Sequence, residues 1–175
     1  IKLINNKPLI NYSIEVALKS KIFDHIIIST DHKKIKKISS KYKKIVVFDR
    51  SKKISSDNSS TEVVVEDVLK KIKNLKNYTP DWVFILEPTS PLRSIGTIKK
   101  AKKKIEKKKN FNSLISIKKI DHDPARLKKD RLNFIFKRVN NRQKRNNLYS
   151  ETSTLYCVKN IYFLKRKKIV EEKPL

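Results

Sequence analysis

The 175-residue sequence predicts an α/β fold, a mostly parallel sheet of buried strands with helices packed on both faces. Three observations carry that expectation. Short, wholly apolar runs recur at residues 26–28, 45–48 and 82–85, and each stops at polar residues, as strands buried on both faces do. Between these runs the apolar residues repeat at helical spacing. The alternation holds over the first 117 residues, without an internal repeat and without a linker that would divide the chain. Residues 1–175 are therefore read as one domain, with a polar excursion over 121–147.

Each element has its own local cause. Residues 8–19 read as a helix, with Pro8 suited to an early position and Leu9, Tyr12, Ile14, Val16 and Leu18 supplying apolar surface. Residues 25–29 read as a strand, and Asp31 is placed to cap the next helix. That helix keeps Ile35, Ile38, Tyr42 and Ile45 on one stripe and lysines elsewhere. After a strand at 45–48, residues 49–60 carry five serines and read as a loop. Val64, Val65, Val68, Leu69, Ile72 and Leu75 mark a helix over 61–77. A third strand over 81–86 ends at Glu87-Pro88, a helix over 94–109 turns Ile95, Ile98, Ala101 and Ile105 inward, and 113–117 is a fourth strand. Within 121–147, Leu132, Phe134 and Phe136 alternate like a hairpin strand. A strand at 155–158 and a short helix at 161–166 follow.

Composition bounds the function. Lysine and arginine number 44 against 17 acidic residues, a net charge of +27. Such a charge attracts polyanions at low salt. However, 36 lysines and 23 isoleucines against three alanines also match the bias of A+T-rich codons. The lysines fill the outward faces of helices and are not interleaved with exposed aromatics, so no specific nucleic-acid partner is expected. One cysteine excludes a disulfide scaffold and a cysteine-based zinc site and fits a reducing, cytoplasmic setting; Cys157 reads as a core thiol. No apolar run has the roughly 18 residues a membrane span needs. A single glycine, Gly96, rules out a P-loop and a G-x-G-x-x-G turn within these residues. The chain opens at Ile1 and contains no methionine, and is expected to be a fragment.

In parallel α/β sheets, ligands bind beyond the carboxyl ends of the strands. The residues expected there are Ser29-Thr30-Asp31, then Asp49-Arg50 opening the serine loop, then residues 87–93, Glu-Pro-Thr-Ser-Pro-Leu-Arg. Two prolines stiffen the last segment, which presents Glu87, Thr89, Ser90 and Arg93 beside a buried strand. That arrangement suits a polyhydroxylated or phosphorylated ligand, and equally a proline-stiffened turn with a capping serine. Asp121-His122-Asp123-Pro124 tempts a metal reading but lacks further ligands at matching spacing, so a solvated turn is expected. His25 and His32 are assigned no functional role.

Read together, these segments resemble the acylneuraminate cytidylyltransferases, the CMP-sialic acid synthetase family. Residues 86–93 (LEPTSPLR) resemble its Leu-Gln-Pro-Thr-Ser-Pro-Leu-Arg signature. Residues 7–17 (KPLINYSIEVA), 23–31 (FDHIIISTD) and 50–60 (RSKKISSDNSS) resemble its first helix, its Ser-Thr-Asp strand and its Arg-to-Ser loop, in order. Asn141-Arg142-Gln143 and residues 149–156 (YSETSTLY) resemble its Arg-Arg-Gln and Tyr-Arg-Glu-Asn-Gly-Ala-Ile-Tyr segments.

The resemblance implies a Rossmann-like nucleotide-sugar fold and transfer of CMP from CTP to an acidic nine-carbon sugar, for cell-surface glycan synthesis. Mg²⁺ would assist, with its ligands outside these residues. It places Arg50, Ser59, Thr61 and Glu87 at the nucleotide. Thr89, Ser90, Arg93, Gln143 and Tyr149 fall at the sugar and pocket rim, and Arg142 near the chemistry, where it can pair with the sugar carboxylate. Residues 121–147 would serve dimerisation, giving a homodimer. The sequence departs from the family pattern in five ways. The Gly-rich triphosphate segment and the strand leading into it would precede Ile1, and an Asp-x-Asp pair would follow Leu175. Glu87 replaces an amide, Asn141 replaces an arginine, and Thr152-Ser153 replaces Asn-Gly. These 175 residues alone are thus expected to be inactive and poorly stable. The alternatives are an inactive relative that binds sugar or a partner, and a polyanion-binding basic domain.

Overall fold

A computed structural model of the chain describes residues 1–56, 58–120, 125–128, 131–134 and 148–175. Two compact units form, one from Ile1–Ile115 with Ser153–Leu175 and the other from Ser116–Thr152. The first unit begins with a hairpin the sequence reading did not anticipate. Strands β1 (Leu3–Ile4) and β2 (Lys7–Pro8) pair antiparallel around Asn5 and Asn6, both with positive φ. Two consecutive asparagines are among the few residues that take this turn readily, and they were the available signal.

Helix α1 (Leu9–Ser20) starts directly after Pro8 and turns Ser13, Ile14 and Ala17 into the core. Strand β3 (Ile26–Thr30) leads to helix α2 (Lys33–Ser39). Its cap is His32, not the expected Asp31: the His32 Nδ1 accepts from the Lys34 N–H at 3.2 Å. The extended backbone of His32 puts the ring over the first turn, so an imidazole nitrogen takes the place of a carboxylate. Strand β4 (Ile45–Asp49) pairs parallel with β3 in continuous register, Ile26 with Ile45 through Thr30 with Asp49. A 3₁₀ turn at Lys52–Ile54 interrupts the serine loop before helix α3 (Thr61–Lys76), which ends in a left-handed residue at Asn77. Strand β5 (Trp82–Ile85), helix α4 (Ile95–Lys107) and strand β6 (Ser113–Ile120) follow. Ser94 caps α4 by accepting from the Thr97 N–H at 3.1 Å. In the second unit, β7 (Ala125–Lys128) and β8 (Arg131–Phe134) form a hairpin, so part of the expected hairpin strand is present. Phe136 and residues 121–124, including His122, lie outside the described residues.

The sheet departs from mostly parallel. Strand β9 (Leu148–Lys159) lies between β5 and β6 and runs antiparallel to β5, pairing Trp82 with Lys159 and Ile85 with Tyr156. Among the described residues no helix lies between β6 and β9. Helix α5 (Asn160–Arg166) closes the order. Alternation along β5 and β9 separates two cores. Trp82, Phe84, Leu155 and Cys157 pack with Ala101, Ile105, Phe111 and Leu114 on the α4 side. Val83, Ile85, Tyr156 and Val158 pack with Val65, Leu69, Phe163 and Ile169 on the side of α3 and α5. The sheet is thus covered on both faces, as the continuous apolar runs imply. Its tail is tied down by Glu171. That carboxylate accepts from the Asn112 N–H (2.6 Å), the Asn112 Nδ2 (3.0 Å) and the Ser113 N–H (2.9 Å). No helix among the described residues is long and apolar enough to cross a membrane.

Candidate active site

Because β3 and β4 are parallel and in register, their carboxyl ends coincide, and the residues beyond them come together. Arg50 is held at this end. Its N–H donates to the Thr30 carbonyl (3.1 Å), its Nη2 to the Ser29 carbonyl (2.6 Å) and its Nε to the Ser29 hydroxyl (3.3 Å). The serine loop beyond is folded on itself. The Ser59 N–H donates to the Ser56 carbonyl at 2.9 Å, and the two hydroxyls lie 2.9 Å apart. It delivers the chain to α3, whose N-terminal residue Thr61 is exposed and whose preceding Ser60 makes no side-chain cap bond. The positive end of this 16-residue helix therefore faces the loop without a capping side chain.

The segment after β5 is built differently. The Glu87 carbonyl accepts from the Ser90 N–H (3.2 Å) and the Ser90 carbonyl from the Arg93 N–H (3.3 Å), two consecutive tight turns with Pro88 and Pro91 at their second positions. Glu87 and Ser90 are half-buried, and Thr89 is exposed. Arg93, expected at the pocket rim, instead turns inward and is 5% exposed. Its Nε donates to the Thr154 carbonyl (2.5 Å), its Nη1 to the Ser13 hydroxyl (3.0 Å) and its Nη2 to the Glu87 carbonyl (2.7 Å). Burial pulls this guanidinium below its ordinary pKa, and the negative charge of Glu87 opposes the shift. Between α1, β3 and β5 lies a cavity of about 110 Å³ with mixed lining that includes Ser13 and His25. Ile14, Ala17, Ile26, Ile28, Phe84 and Leu86 are among its lining residues, and β3 and β5 are not hydrogen-bonded to each other.

Of the ten residues singled out from the sequence, Arg50, Ser59, Thr61, Glu87, Thr89, Ser90 and Arg93 belong to the first unit. Tyr149 lies on β9 in the second unit, 55% exposed. Arg142 and Gln143 lie outside the described residues. One partner is new to the site, Ser13, which receives Arg93, whereas Ser29, already expected at the strand end, seats Arg50. A hydroxyl within the buried face of α1 was the signal for Ser13. Cys157 is fully buried, and burial pushes its thiol pKa up, consistent with a core thiol. Among the described residues there is no group of three or more metal-ligating side chains. Glu87 is the lone carboxylate of its loop.

A family model described as cytidylyltransferase matches residues 1–173. The chain belongs to the cytidylyltransferase family. Within it, the chain is 38% identical over 98 residues to a pseudaminic acid cytidylyltransferase of Campylobacter jejuni, an alignment covering 56% of this chain and 42% of that one. It is 36% identical over 100 residues to the CMP-N,N'-diacetyllegionaminic acid synthase of Legionella pneumophila, covering 57% and 43%. An N-acylneuraminate cytidylyltransferase of Escherichia coli is 26% identical over 112 residues, covering 64% of this chain and 25% of that one. The chain thus spans half or less of the length of the curated relatives it matches. A CMP:2-keto-3-deoxy-manno-octonic acid synthetase solved with CTP superimposes with a TM-score of 0.70 over 99% of this chain and 72% of that one, at 12% identity. At that identity the likeness speaks for the fold, an α/β nucleotidyltransferase fold.

Proposed function

We propose that this chain is part of an enzyme that transfers CMP from CTP to an acidic nine-carbon sugar of the sialic or related nonulosonic class, releasing pyrophosphate. The observation that carries the reading is the cytidylyltransferase match along almost the whole chain, joined to loops gathered beyond the strand ends. In the reaction the anomeric hydroxyl oxygen of the sugar bonds to the α-phosphorus, and the bond from that phosphorus to the bridging oxygen breaks. Pyrophosphate departs with the electron pair, and the hydroxyl proton passes to solvent or a base. This chemistry needs positioning and charge neutralisation more than a covalent nucleophile.

Arg50, held by Ser29, faces the nucleotide together with Ser59, Thr61 and the uncapped end of α3. Glu87 stands at the nucleotide, and Thr89 and Ser90 at the sugar. Tyr149, Gln143 and Arg142 act on the sugar side, Arg142 pairing with its carboxylate. Mg²⁺ would supply neutralisation of the triphosphate, with its ligands outside these residues. A cytoplasmic homodimer is the expected state.

The test is pyrophosphate release by the full-length protein with CTP, Mg²⁺ and a panel of nine-carbon acids. Release that requires one of the acids is the expected result, and no release with any of them overturns the reading. Glu87 favours a second reading, a relative that binds without turnover, because an ionised carboxylate cannot donate the hydrogen bond an amide donates. CTP binding without turnover in the same assay would select it.

A further inference from the structure

We infer that Arg93 is a positioning residue for the transfer reaction, a buried guanidinium that ties residues 86–93 to α1 and β9 and so sets where Glu87 and Ser90 stand. The inference rests on the proposed function. Its three bonds reach partners 6, 61 and 80 residues away, joining three segments that have no local reason to meet. Two acceptors are main-chain carbonyls, those of Glu87 and Thr154, so what Arg93 holds is backbone path. Pro88 and Pro91 remove two N–H donors from the same loop. The loop's remaining amides at Ser90 and Arg93 bond only within the loop, and the guanidinium supplies the donors that tie it to the rest of the fold. The Glu87 carbonyl is the focus: it also accepts from the Ser90 N–H at 3.2 Å and, at 3.5 Å, from the Ser13 hydroxyl.

A guanidinium that is 5% exposed, with Nε, Nη1 and Nη2 each engaged inside the protein, is poorly placed to meet a substrate anion. Its geometry is also specific. Three acceptors in three directions match a planar fork, whereas a lysine presents all its donors from one atom. Arg93→Lys keeps the charge and loses the fork.

The experiment uses the full-length protein carrying Arg93→Lys, with steady-state kinetics of pyrophosphate release and amide hydrogen exchange read together. The expected result is a kcat about 30-fold lower, with KM for CTP and for the acid each within about 3-fold of the parent. Exchange at the Ser90 and Arg93 amides should quicken about 10-fold while α3 keeps its protection. Parental kcat in Arg93→Lys would overturn the proposal, because charge alone would then suffice. A raised KM for one substrate with kcat retained would also overturn it, pointing to direct contact. So would a lowered Tm with parental loop exchange and parental kcat per folded molecule, the mark of a purely structural residue. If the parent releases no pyrophosphate, the functional reading has failed, and the exchange comparison still decides whether Arg93 holds the loop. Should Arg93→Lys not fold, Ser13→Ala removes one acceptor. It is expected to lower kcat about 3-fold and quicken exchange at Ser90 and Arg93, and parental values for both would reject the proposal.

Discussion

Two charged side chains each gather three polar groups, and they do so at different depths. Arg93 donates to Ser13, Glu87 and Thr154 from a position 5% exposed, whereas Glu171 accepts from Asn112 and Ser113 at a half-buried site. The first stays charged at any physiological pH despite its lowered pKa, so its hold on the loop is constant. The second can be titrated. Partial burial opposes its ionisation, but the hydrogen bonds from Asn112 and Ser113 outweigh that and hold its pKa below the ordinary carboxylate value. The ordinary pKa of the group, not its depth, therefore separates a permanent clamp beside the candidate site from a pH-dependent clamp on the tail.

The largest effect expected from breaking this comparison is that of Arg93→Ala. It removes one donor each from two carbonyls and a hydroxyl and opens a void, at a cost of about 3 kcal/mol in urea unfolding of the full-length protein. A loss under about 1 kcal/mol would mean that water enters and replaces the guanidinium. Glu171→Ala should cost about 1–2 kcal/mol at pH 7, since two main-chain N–H groups and one amide lose a shared acceptor but remain near solvent.

The same residue sharpens the contrast through pH. A carboxylate whose pKa is depressed in the folded state contributes stability above its unfolded pKa, and that contribution fades as pH falls through the folded value. Stability of the parent should thus fall more steeply below about pH 4.5 than that of Glu171→Gln. Parallel pH profiles would remove Glu171 as the titrating clamp. Ser94→Ala, which removes the α4 cap next to Arg93, should cost about 1 kcal/mol by thermal unfolding. The smallest effect is expected at Ser56, whose hydroxyl pairs with Ser59 in the exposed serine loop. Ser56→Ala should change stability by less than about 0.5 kcal/mol, marking that loop as locally rather than internally held.

Much of this was legible from residue order. Continuous runs of isoleucine and valine carry a strand pattern, and lysine-filled helices with one apolar stripe pack by that stripe, so β3, β4, β5 and the helices α1, α3 and α4 were readable, although the apolar residues of these strands are half-buried. The Glu-Pro-Thr-Ser-Pro segment was readable as a rigid loop because proline acts through its own backbone. Local chemistry did not reveal the β1–β2 hairpin, since two-residue strands carry no period. Nor did it show that His32 caps α2, which depends on the backbone angles of one residue.

Local periodicity alone determined that this chain is α/β, that its lysines are solvated helix faces, and that polar segments stand beyond its strands. The tertiary structure decided which strand lies beside which, placing β9 between β5 and β6 and antiparallel to β5, because strand partners are chosen by long-range pairing and not by composition. It also decided that Arg93 faces inward. An arginine in a loop reads as a surface cation until Ser13, Glu87 and Thr154, up to 80 residues away, supply the acceptors that make its burial tolerable.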